Sequence, residues 1–299
     1  MKTLKVISIF IVLGFALIGI MFTSVFVAMQ FGWLNVRGSI DARNDSILYG
    51  NGTSTVPTAI TTVSTVADAI GIKSTEDYSC TKTARNCHWE DTREWAVVAG
   101  GLTKDIALIE RVSAETGVSP RLIAAVVAPE QVRFFTANRE VFKRYFEPLK
   151  ILGSLSKFSL GVSGIKQETA VRIEQHTKDI TSPFYPGAGY DTLVAYPAGV
   201  DIDTELYNRL TNEKDHYYSY LYTALFIKEI LMQWERAGYD ISDRPEIVAT
   251  IFNIGFDSSH PSAKPVVGGT TISVGGYNYT FGELAGLFYY STQLSEFTP

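Results

Sequence analysis

One carboxylate in this chain is delivered by a run of almost purely apolar residues. Ser119-Pro120-Arg121 opens into Leu122-Ile123-Ala124-Ala125-Val126-Val127-Ala128, and Pro129-Glu130 closes it. Ser as N-cap and Pro in the first turn predict a helix start. Side chains that are small and apolar on all sides predict a central, buried helix. A carboxyl at the end of such a helix is partly desolvated, which favours its protonated form and makes Glu130 a candidate general acid. Ser159-Leu160-Gly161-Val162-Ser163-Gly164-Ile165 starts 29 residues later. It reads as a tight turn of small residues feeding a helix near Lys166-Gln167-Glu168-Thr169-Ala170. A third block, Ala249-Thr250-Ile251-Phe252-Asn253-Ile254-Gly255, places an amide at the end of a later helix. Four scattered His and two Cys offer no metal-ligand spacing, so no metal site is expected.

The order of these blocks resembles the lytic transglycosylase and goose-type lysozyme superfamily over roughly residues 92–256. The family pattern is a catalytic Glu ending an apolar helix, then Ser-x-Gly-x-x-Gln-Ile with a nearby Thr-Ala, then Ala-x-Tyr-Asn-x-Gly. This chain departs from it at Gly164, where the family has Gln, at Gln167, where Pro often follows, and at Phe252, where Tyr is usual. Pro129 before Glu130 is also unusual. The resemblance implies an all-α, lysozyme-like fold and cleavage of peptidoglycan glycan strands by one Glu acting as acid and then base. Cleavage needs a proton on the leaving oxygen while positive charge builds on the sugar. The muramyl 6-hydroxyl then attacks within the same strand, so one carboxylate suffices and neither metal nor cofactor is needed. Gly161 would let the strand approach the backbone, Asn253 would hydrogen-bond near the cleaved sugar, and Ser159 would orient Glu130.

Each role has a plainer rival. Pro129-Glu130 also reads as an ordinary helix start, Ser159 as an N-cap, and Asn253 as a polar helix end before Gly255. Tyr289 and Tyr290 read as core, and Glu140, Glu147 and Glu168 as solvated helix charges. Two other functions compete. A hydrolytic muramidase would need a second carboxylate, for which Asp191, Asp201 and Asp203 stand as candidates. A catalytically silent glycan-binding scaffold is favoured by the Gly164 departure.

The elements that must hold these residues are mostly helices. Leu102, Ile106, Ile109 and Val112 predict a helix over roughly 91–116, stopping at Gly117. Further helices are expected over 138–149, from Asp215 through Trp234 to Gly238, from Pro245 to Gly255, and from about Gly282 to Leu294. Lys228 and Glu229 are expected on a polar face of the long aromatic helix. Residues 179–203, rich in Pro and Gly, read as an irregular loop or flap. Gly268-Gly269 and Gly275-Gly276 bracket the one β-hairpin expected.

Ahead of this domain, assigned to 76–299, Val6 to Met29 run 24 residues without a charge. That length crosses a hydrocarbon core of about 30 Å. With Lys2 and Lys5 before it, residues 1–33 read as a signal anchor with a cytoplasmic N-terminus and an extracytoplasmic domain. Residues 34–75, rich in Ser and Thr, read as a stalk. With 26 Lys and Arg against 31 Asp and Glu, the chain is mildly acidic, and it lacks the basic stripe of a nucleic-acid binder. Cys80 and Cys87, the only cysteines, read as a small disulfide loop outside the cytoplasm, or as two thiols if their compartment is reducing.

Overall fold

The computed structural model describes residues 88–136 and 159–297, and Ser24 alone before them. The anchor, the stalk, Cys80, Cys87 and the helix expected over 138–149 lie outside the described residues. Contacts divide the chain into the units Met1–Arg43 and Asn44–Pro299, and the elements from Arg93 onward all belong to the second. Among the described residues no helix is long and apolar enough to cross a membrane.

The chain from Arg93 to Thr116 is two helices, not one. α1 (Arg93–Lys104) starts where the Thr92 hydroxyl accepts from the Trp95 amide, and α2 (Ile106–Thr116) ends at Gly117 in the left-handed region. The break falls at Asp105, which is buried. Its carboxylate meets Nδ1 of His216 at 2.6 Å and accepts from the Tyr220 hydroxyl at 2.8 Å. Burial pushes Asp105 up, but the hydrogen bonds from His216 and Tyr220, together with the charges of His216 and Lys104, hold it below its ordinary value. The same bond raises His216. A polar tie to a distant helix has therefore overridden the local period.

α3 (Pro120–Thr136) is the axis of the molecule and touches α1, α2 and three later helices. It does not stop at Glu130. It continues through Pro129, whose missing N–H leaves the Ala125 carbonyl without its usual intrahelical donor. At its other end, Arg121 is buried and its guanidinium donates to five carbonyls. Those of Phe288, Tyr289, Ser291, Gln293 and Leu294 lie at 2.7–3.0 Å.

β1 (Ser159–Leu160) and β2 (Ile165–Lys166) form a short antiparallel hairpin, pairing Ser159 with Lys166 and Leu160 with Ile165. The sequence reading expected only a turn here. α4 (Gln167–Lys178) follows directly. The supposed flap contains a single helical turn, α5 (Tyr190–Leu193), and is pinned in place. Arg209 donates to the carbonyls of Val194 and Ala195 at 2.9 and 2.7 Å. Its guanidinium is sandwiched between the Tyr196 and Tyr218 rings, 4.2 and 4.3 Å from their centroids. Arg209 sits on α6 (Ile202–Thr211), a helix the sequence reading missed, capped by the Asp201 carboxylate accepting from the Thr204 amide.

α7 (Tyr217–Arg236) and α8 (Pro245–Ile254) match the expected stretches, and α8 is buried at every position. Glu229 on α7 is the exception. A polar face is expected for it, yet it is fully buried. β3 (Thr271–Val274) and β4 (Tyr277–Thr280) form the expected hairpin. α9 (Phe281–Tyr290) opens on a capping box between Thr280 and Glu283 and ends earlier than Leu294. Among the described residues the domain is thus helix-rich, with two small hairpins rather than one.

Candidate functional site

Glu130 lies in the second half of α3, its side chain 3% exposed. Two residues that follow it on the same helix, Gln131 and Arg133, define its surroundings. Arg133 donates to its Oε1 in an ion pair. Gln131 donates from Nε2 to the Val162 carbonyl, which fastens the β1–β2 turn onto α3. Both partners were missed by the sequence reading, which ended the helix at Glu130. Continuing it through Pro129 puts Glu130 and Arg133 at i,i+3, a spacing at which opposite charges meet.

The turn itself sits directly on the carboxylate. Gly164 has φ +65°, and a Cβ placed there would stand 2.6 Å from Cδ and 2.8 Å from Cγ of Glu130. A side chain at this position would collide with the Glu130 side chain as it stands. Gly161, also left-handed at φ +63°, faces the Leu210 carbonyl and the Ser219 hydroxyl, where a Cβ would collide. Its need for glycine is thus met by protein packing on that side. Ser163 between them is buried and donates to the Ser219 carbonyl at 3.2 Å. The turn is therefore clamped between α3 on one side and α6 and α7 on the other. Ser159 stands at the base of this hairpin, opposite Lys166.

Asn253 is buried near the end of α8, and its side-chain oxygen does not cap that helix. It accepts from the amide and the hydroxyl of Thr270 at 2.8 and 3.0 Å. Thr250, one turn earlier, accepts from the Gly268 amide at 3.0 Å. Together they hold the 268–270 loop that leads into β3. Phe252 is buried against Phe226, ring centroids 5.0 Å apart. A Tyr in its place would carry a hydroxyl into an aromatic cluster. The structure thus joins Glu130 to the glycine turn, while Asn253 anchors the second hairpin.

The candidates for a second carboxylate are otherwise engaged or exposed. Asp201 caps α6, and its hydrogen bonds from Thr204 lower it. Asp191 and Asp203 stand exposed on α5 and α6. Tyr290 donates to the Asp243 carbonyl at 2.9 Å, a structural tie. Besides Glu130, four carboxylates are buried among the described residues: Asp105 beside His216, Glu246 beside Arg244, and Glu174 and Glu229. Glu174 accepts from the hydroxyls of Tyr196 and Tyr222. Glu229 has no hydrogen-bond partner on either oxygen among the described residues, and burial raises it well above its ordinary value. Glu229 is fully buried, and Glu130 is 3% exposed. In comparisons with known proteins, no family model, no curated protein and no solved structure matches this chain.

Proposed function

We propose that this chain is a peptidoglycan-cleaving enzyme of the lytic transglycosylase kind, held at the outer face of a cytoplasmic membrane by residues 6–29, with Glu130 as acid and base. The observation that carries the reading is the seating of the Gly161–Gly164 turn on Glu130. Two blocks singled out independently in the sequence meet at one carboxylate. In the reaction Glu130 protonates the glycosidic oxygen as the bond to the anomeric carbon breaks. The muramyl 6-hydroxyl then bonds to that carbon and returns its proton to Glu130. No water is consumed, and the carboxyl ends as it began.

A second reading is favoured by one observation. Arg133 satisfies Glu130 as a structural pair would, and on that ground the domain is a silent glycan-binding scaffold. Glu130→Gln separates the two, because the amide keeps size and polarity but delivers no proton. General acid–base catalysis is worth about 10²–10⁴-fold, so release of soluble muropeptides from purified peptidoglycan should fall at least about a hundredfold. Glu110→Gln, on an exposed face of α2, is the control and should leave the rate unchanged. Equal cleavage by folded Glu130→Gln and wild type would remove Glu130 from the chemistry. Binding without cleavage by wild type would support the scaffold.

A further inference from the structure

His216 stands just ahead of α7, with its side chain 23% exposed, so solvent protons reach the ring. Its Nδ1 lies 2.6 Å from the Asp105 carboxylate, at the break between α1 and α2. Tyr220, one turn into α7, donates to the same carboxylate oxygen at 2.8 Å. Between the two stands Ser219, whose carbonyl accepts from the Ser163 hydroxyl at 3.2 Å. The Ser219 hydroxyl donates to the Leu210 carbonyl, and these two oxygens leave no room for a side chain at Gly161. The opening of α7 is therefore tied on one side to a titratable pair. On the other it clamps the turn that is seated on Glu130.

The hydrogen bond to Asp105 raises His216 against the opposing effect of burial. The charges of Asp105 and Asp215 add to the rise, and that of Lys104 opposes it. Tyr220 is pushed above its usual range by burial and keeps its proton. On α2, Glu115 and Arg111 engage Tyr217 instead, through its hydroxyl at 2.6 Å and over its ring. A raised His contributes stability that is fully present below pH 6.5 and is lost as pH rises through its folded value. The lowered Asp105 sets the other edge, present above pH 3.8 and lost as pH falls through its folded value. A neutral imidazole still donates from Nδ1, but a hydrogen bond without the charge is about half as strong. We propose that His216 is a pH-sensitive tie, which locks the first turn of α7 and the Gly161–Gly164 turn when protonated and lets both loosen when it gives up its proton. As control of cleavage this rests on the reading of Glu130 as general acid; the tie itself does not.

The test is backbone hydrogen exchange of residues 161–165 and 217–220 in the full chain in detergent micelles, between about pH 6 and about pH 9. The comparison is His216→Asn, whose amide keeps a donor near the place of Nδ1 but does not titrate. Wild-type protection relative to the variant should fall by about three- to tenfold as pH passes the point at which NMR shows His216 titrating. Titration of His216 at or below pH 6.5, or a ratio that does not change with pH, overturns the tie. Asp105→Asn keeps the acceptor without its charge and should abolish the step; it is the comparison if His216→Asn does not fold. Release of muropeptides should slow over the same pH range in wild type, relative to His216→Asn. A step in exchange without one in cleavage sustains the tie and overturns its control of the reaction. If wild type cleaves no peptidoglycan, the general-acid reading fails, and the exchange step alone decides the tie.

Discussion

Two arginines on α3, twelve residues apart, do opposite things with the same side chain. Arg121, near the start, spends its donors on the carbonyls that end α9, and its guanidinium lies 4.7 Å from the centroid of the Phe288 ring. Burial lowers its pKa, yet the partners are backbone atoms that cannot leave without unwinding the end of a helix. It also meets the negative end of that helix dipole. Arg133, near the other end, is paired with a side chain. Side-chain partners change with a rotamer and a proton, and no backbone need move. One end of the axis is tied to backbone carbonyls, and the other is paired with a side chain.

The largest expected effect comes from breaking the fixed end. Arg121→Ala strands five carbonyls and removes a buried cation from its cage, which should cost about 4 kcal/mol or more in denaturant unfolding. Arg133→Ala should cost clearly less, about 2–3 kcal/mol, because its site is partly open to water. Equal losses would dissolve the contrast between the two ends.

Gly164→Ala sharpens the charged end. It combines left-handed strain with a collision on the Glu130 stem, and should cost about 2–3 kcal/mol. Gly189→Ala is the comparison, since its φ is also positive, at +93°, but nothing lies within 4 Å of the added carbon. It should cost only about 1 kcal/mol. Similar costs in chemical denaturation would mean that the turn does not rest on Glu130.

The smallest effect concerns Glu229, a buried carboxyl with no hydrogen-bond partner among the described residues. Burial raises its folded pKa above the unfolded value of about 4.5. Its contribution to stability is therefore fully present below pH 4.5 and is lost as pH rises towards the folded value. Glu229→Gln cannot ionise in the unfolded chain, so its gain in Tm over wild type should grow from pH 4.5 to pH 8. A gain independent of pH would show that Glu229 is charged in the folded protein.

What was legible in the sequence was whatever depended on neighbours along the chain. Ser119-Pro120, Gly117, Gly255 and Gly275-Gly276 marked α3, α2, α8 and the second hairpin through caps and turn residues. What was not legible depended on partners far away in sequence. Asp105 breaks a periodic helix for the sake of His216 and Tyr220, more than a hundred residues on. Arg121 reaches the end of α9, and Glu229 sits inward on a face that looked polar. Pro129 misled in the other direction, because a proline normally ends a helix and here the buried surroundings carry the helix through it. Taking it as an end hid Arg133. The need for glycine at position 164 shows only in the fold, where an added Cβ would meet the Glu130 side chain.

The most direct measurement of the central claim is mass spectrometry of the muropeptides released from purified peptidoglycan by wild type and by Glu130→Gln at equal folded concentration. The account predicts products ending in 1,6-anhydromuramic acid from wild type and at least about a hundredfold fewer from the variant. The same products at the same rate from folded Glu130→Gln would contradict it.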